Sequence, residues 1–132
     1  MELEFRHQDY DVNGRLTCGK KPLSGVHVTL HDWNWFFTHR PHGLVEMDTA
    51  DTGHFALRTT DFLVEEDLFL NISGVHCGTK CNGNWHMKVL MHGSFDRFEK
   101  DLGITDMSRV CSTYESGQTI NFVHFSRNGT YA

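Results

Sequence analysis

Gly-Arg-Leu-Thr-Cys-Gly-Lys-Lys-Pro-Leu-Ser-Gly-Val-His-Val-Thr-Leu-His-Asp, residues 14–32, reads as two strands joined by a turn. In its second half Val26, Val28 and Leu30 alternate with His27, Thr29 and His31. That is the period of a half-buried strand with one dry face. In its first half Leu16 and Cys18 are apolar groups two apart, and residues 19–25 supply the Gly and Pro that let the chain reverse. The first strand, A, is expected over 12–18 and the second, B, over 25–32.

The same reading extends outward in both directions. Strand C is expected over 44–49, and Ala50-Asp-Thr-Gly53 is a turn because Asp51 and Gly53 favour a tight reversal. Strand D follows over 54–59, with Phe55 and Leu57 on one face, and an acidic connection over 60–67 leads to strand E over 68–75. Strand F falls on 85–92. Phe95, Phe98 and Leu102, spaced by three and four, suggest a short amphipathic helix in the polar connection 93–103. Strands G and H are expected over 108–114 and 119–125, joined by a hairpin turn. Residues 1–11 read as an N-terminal arm, 12–125 as the body and 126–132 as a tail of one domain spanning 1–132. Eight short strands spaced by turns indicate an all-β, two-sheet antiparallel sandwich with at most a short helix.

Composition narrows the class of function. A formal net charge of −5 argues against a nucleic-acid binder, which needs a basic face to displace counterions. No apolar run approaches the ~20 residues of a membrane span, and Met1-Glu-Leu-Glu-Phe-Arg6 lacks the apolar core of a signal peptide. Cys18, Cys77, Cys81 and Cys111 form an even set, which three pairings can close as two disulfides. Zinc fits less well, because only Cys77 and Cys81 are closely spaced. Together with the sequons at Asn71 and Asn128, the cysteines point to a secreted glycoprotein.

Residues 14–32, followed by Asp48-Thr-Ala-Asp-Thr-Gly-His-Phe55 and Val75-His-Cys77, resemble the nematode transthyretin-like family over roughly residues 12–92. The resemblance implies a secreted sandwich with sheets D-A-G-H and C-B-E-F. It also implies a binding role, since the family includes a protein that recognises phosphatidylserine on dying cells and bridges them to a phagocyte receptor. In that topology the end of A, the start of B and the end of E lie together. This favours Cys18–Cys77 and leaves Cys81–Cys111. Two relatives offer other activities: 5-hydroxyisourate hydrolases end in Tyr-Arg-Gly-Ser, whereas this chain ends Asn128-Gly-Thr-Tyr-Ala132, and transthyretin carries thyroid hormone in a channel between dimers.

Trp33-Asn-Trp-Phe-Phe37, with Arg40, is the strongest functional signal. Exposed rings beside a cation suit a bilayer interface, where the ring enters the headgroup layer and the cation meets phosphate. The competing reading continues strand B and folds Trp33 and Phe36 into the core. If connections B–C, D–E and F–G share one end, Arg97 and Lys100 join Trp33, Trp35, Phe36, Phe37 and Arg40 as the lipid-binding set, beside Glu65, Glu66 and Asp67. Phosphatidylserine carries a phosphate, a carboxylate and an ammonium, so it needs cations beside an acid. Lys20, Lys21 and Lys80 form a secondary basic end. His27 and His31 share a strand face with Cα atoms ~13 Å apart, an awkward span for one ion, so the histidines read as exposed polar positions rather than ligands. No Gly-x-Ser-x-Gly, Walker loop or His-Glu-x-x-His occurs, and no catalytic residue, metal site or cofactor is expected. The expected function is phosphatidylserine recognition and bridging; the alternative is an extracellular carrier of small hydrophobic ligands.

Overall fold

The computed structural model describes residues 7–31, 43–62, 68–79, 81–89, 97–114 and 119–121. They form a two-sheet sandwich of nine strands and one short helix: β1 (His7–Cys18), β2 (Lys21–Pro22), β3 (His27–His31), β4 (Val45–Asp48), β5 (His54–Phe62), β6 (Leu68–His76), β7 (Asn82–Val89), β8 (Arg97–Asp106), α1 (Met107–Thr113) and β9 (Thr119–Asn121). One sheet places β1 between β5 and β8, with β2 on its C-terminal end; the other runs β4-β3-β6-β7-β9. The pairs β1–β8 and β7–β9 are parallel, and the remaining strand pairs are antiparallel.

The alternation that marked residues 14–32 is what the core uses. Tyr10, Val12 and Leu16 of β1 and Phe55 and Leu57 of β5 pack from one sheet. Val28 and Leu30 of β3, Leu68, Leu70 and Ile72 of β6 and Trp85, Met87 and Val89 of β7 meet them from the other. All are buried, so each strand contributes every second side chain to one apolar layer. Thr49 closes the loops at one edge, donating to the Leu23 carbonyl at 2.6 Å and accepting from the Val26 amide at 3.0 Å. In the expected turn at 50–53, Gly53 has φ +84°, and a Cβ there would stand 2.3 Å from the Leu16 carbonyl oxygen. Only glycine fits that close approach.

Both disulfides take the pairing implied by the resemblance. Cys18 joins Cys77 and Cys81 joins Cys111, each with a Cα–Cα separation of 5.5 Å. The first ties the end of β1 to the end of β6, and so one sheet to the other; the second ties the start of β7 to α1.

The C-terminal third differs from its reading. Residues 97–103, expected within a helical connection, belong with 104–106 to strand β8 and pair with β1 where strand G was placed. A bulge there, with Gly103 at φ +67° and its amide donating 2.9 Å to Asp101 Oδ1, breaks the alternation and hides the strand period. Residues 108–114, expected as strand G, lie mostly in α1. Asp106 caps that helix by accepting from the Ser108 amide at 3.0 Å, and Met107 and Val110 turn to the core at helical spacing. Residues 119–121 pair with β7, so the last described strand extends the sheet of C-B-E-F rather than that of D-A-G. Strand A begins at His7, and residues 7–11 belong to β1 instead of an arm.

Candidate binding face

Trp33, Trp35, Phe36, Phe37, Arg40, Lys80 and Asn128 lie outside the described residues. Of the other expected lipid ligands, Arg97 opens β8 opposite Asp9, beside the end of β5 that leads into residues 63–67; its side chain is not among those described. Lys100 is not in a loop. It sits within β8 opposite Val12, half-buried, ~10 Å farther along the strand.

The secondary basic end is built firmly. Lys20 and Lys21 are exposed at the β1–β2 turn, beside the Cys18–Cys77 bridge. The buried Asp106 carboxylate accepts from the Gly19 amide at 2.7 Å as well as from Ser108, so one side chain fixes this turn to the start of α1. The helix adds an exposed cation, Arg109, which the expected strand assignment had hidden. Asn71 of the first sequon is half-exposed on the outward side of β6.

The histidines divide by environment. His27 stands between two carboxylates of β4, with Nδ1 2.7 Å from Asp48 and Nε2 3.4 Å from Glu46. His31, expected as an exposed polar position, is fully buried, stacked on Phe69 at 5.6 Å and edge-on to His86 at 6.1 Å. Burial holds the His86 imidazole below its ordinary pKa by disfavouring the charged ring. Among the described residues, no three His, Cys, Asp or Glu side chains are grouped to hold a metal ion.

The outer face of β1, β5 and β8 carries a different feature, a hollow of about 580 Å³. Arg15 lies opposite His54 on one neighbour and Ile104 on the other, and Asn13 lies opposite Ala56 and Asp101. Gly14, Gly103 and Ala56 all line it, and neither Gly103 nor Ala56 puts a large side chain into it. A Cβ on Gly14 would face the core instead, 2.9 Å from the buried Phe55 ring. Arg15 is braced by its Nε–H donating to the Thr52 carbonyl at 2.8 Å, and His54 Nδ1 lies 2.9 Å from the Thr52 hydroxyl. Ile104, 37% exposed, is the most exposed large apolar residue among those described. A second hollow of about 520 Å³ continues along β1, lined by Asp9, Asp11, Arg58 and Glu99, with Arg58 Nε 3.2 Å from Asp11. Nothing in strand alternation marked this face, because its shape comes from the bulge and from missing side chains.

The family profile named "TTR-52: Transthyretin-like family" matches residues 13–89. The chain belongs to the transthyretin-like family. That span carries β3 to β7 whole and β1 from Asn13, so the match rests on both sheets and on Cys18, Cys77 and Cys81. No curated protein matches this transthyretin-like chain. Among solved structures it is similar to the dioxygenase domain of a dioxygenase–carbohydrate-binding protein fusion from the cellulolytic bacterium Streptomyces sp. SirexAA-E. There the identity is 12%, 80% of this chain and 84% of that one are covered, and the TM-score is 0.50. It is also similar to 3-chlorocatechol 1,2-dioxygenase from Rhodococcus opacus 1CP at 12% identity, covering 78% and 61%, with a TM-score of 0.46. At that identity the first likeness concerns the sandwich fold alone, and the second carries no weight. No helix among the described residues is long and apolar enough to cross a membrane.

Proposed function

We propose that this transthyretin-like protein is a secreted binding protein that recognises exposed phosphatidylserine and bridges dying cells to a phagocyte receptor. The observation that carries the reading is the family match over residues 13–89, on a sandwich whose two sheets are joined by a disulfide. The two disulfides suit an oxidising compartment. Exposed Lys20, Lys21 and Arg109 on a braced end supply cations for an anionic surface, each contributing on the order of 1 kcal/mol close to the membrane. The aromatic sequence at Trp33, Trp35, Phe36 and Phe37, with Arg40, supplies rings suited to the headgroup layer. Binding rather than catalysis is proposed.

The carrier reading asks for an enclosed apolar cavity. Both hollows described above open to solvent, which favours binding at the surface. Flotation with phosphatidylcholine vesicles, with and without phosphatidylserine, tests the proposal. Binding only to the phosphatidylserine vesicles is expected, weakened when Trp33, Trp35 and Arg40 are replaced together by alanine; equal binding to both, or to neither, overturns it.

A further inference from the structure

We propose that the hollow on the outer face of β1, β5 and β8 is a zwitterion site that takes a phosphoserine group, with Arg15 holding the anionic groups and Asp101 the ammonium. The proposal rests on the phosphatidylserine reading and assigns the headgroup to residues outside the aromatic and basic sets. Two opposite charges line one hollow without neutralising each other. Arg15 and Asp101 are diagonal neighbours on adjacent strands, ~8 Å apart by strand spacing and rise.

Each is held by a bond at its stem. Arg15 Nε–H is committed to the Thr52 carbonyl, which leaves the two Nη groups for a bidentate anion. Asp101 Oδ1 accepts from the Gly103 amide within the bulge, which leaves Oδ2 for a cation. Asn13 and His54 line the same space and are polar. Gly103 and Ala56 leave room for the group, and Ile104 offers an apolar wall where the headgroup joins its glycerol.

Charge beyond the hollow decides what kind of binding this is. The adjoining hollow has Asp9, Asp11 and Glu99 against Arg58, so among the described side chains this face carries more acids than cations. An acidic face repels an anionic bilayer taken as a sheet of charge. It gains only from a ligand that brings its own ammonium. The site therefore selects serine over a headgroup that is anionic alone.

The test uses the whole protein and vesicles of matched charge containing phosphatidylserine or phosphatidic acid, together with free O-phospho-L-serine as a soluble ligand. Asp101→Asn keeps the acceptor for Gly103 and removes the charge; Arg15→Gln removes the cation. Both positions are exposed or half-exposed, so thermal melts should stay close to that of the parent. The parent should prefer phosphatidylserine. Asp101→Asn should erase that preference with a loss of about tenfold, and Arg15→Gln should weaken both lipids by about tenfold or more, as expected for a lost charge-assisted bond. If the parent binds phosphatidylserine and both variants match it, the site is overturned while the lipid reading stands. If the parent ignores vesicles but binds free O-phospho-L-serine, and Asp101→Asn abolishes this, the site stands and the membrane reading falls. If the parent binds none of these, both fall.

Discussion

The two outer faces of the sandwich treat the same kinds of side chain in opposite ways. On the face of β3, β6 and β7, Thr29, His31 and Phe69 point away from the core, yet they are 4%, 0% and 5% exposed. On the face of β1, β5 and β8, Arg15, His54, Arg58 and Asp101 occupy equivalent outward positions and stay accessible. Strand alternation sets the direction of a side chain, whereas coverage depends on what the rest of the chain lays over it. The first face is covered around Thr29, His31 and Phe69 and carries stability there, while His27 and Asn71 farther along it stay half-exposed. The second keeps its polar groups open, which is what a binding surface requires.

The largest expected effect is on the link that holds the two faces in register. Replacing Cys18 and Cys77 by alanine together opens a loop of 59 residues and removes the covalent tie between the sheets. Loop-closure entropy puts the loss at about 4 kcal/mol. A thermal or urea melt should show this as a large fall in midpoint. A fall below about 1 kcal/mol would mean that the core and the Cys81–Cys111 bridge hold the sheets without it.

How far the sequence carried the fold follows from where each constraint lives. Val26, Val28 and Leu30 are neighbours along one strand, so their alternation was legible, and with it β1 from Val12 and β3 to β7. The sandwich and the turn at 50–53 followed from the same local signals. Strand β8 was not legible, because its partner β1 lies some ninety residues away in sequence and the Asp101–Gly103 bulge shifts its period. Phe98 and Leu102 then mimic a helix. The helix α1 was missed for the reverse reason: Met107, Val110 and Cys111 have helical spacing, but a seven-residue run seldom declares itself without its cap, Asp106. The candidate hollow escaped because glycines and an alanine define it. Of its charged residues, Arg15 was one polar position of the expected strand A, and Asp101 fell in the expected connection 93–103.

A smaller effect separates the faces directly. His31→Ala removes a fully buried ring stacked on Phe69 and should cost about 2–4 kcal/mol, in the range of other large-to-small core changes. His54→Ala, on the exposed face, should stay within about 0.5 kcal/mol. Chemical denaturation of the two variants side by side reads the contrast. Similar losses would show that His54 is also part of a packed structure, and the face of β1, β5 and β8 would lose its claim to be an open surface.

The smallest effect is the pH dependence of His86, half-buried beside the buried His31. Burial lowers the His86 pKa from the ordinary value of 6.5, so the folded state binds this proton more weakly than the unfolded state does. The His86 contribution to stability is fully present above that ordinary value. It is lost as pH falls, until the folded imidazole also takes its proton, because over that interval the unfolded chain holds more protons. Other groups titrate in the same window, so the informative quantity is the difference between the parent and His86→Gln. Urea midpoints measured from pH 7.5 down to pH 5 should fall less steeply for the variant, the two curves diverging as acid is added. Parallel curves would mean that His86 is hydrated in the folded protein. The covered part of the face of β3, β6 and β7 would then stop short of β7, and the distinction between a sealed face and a binding face would have to rest on Thr29, His31 and Phe69.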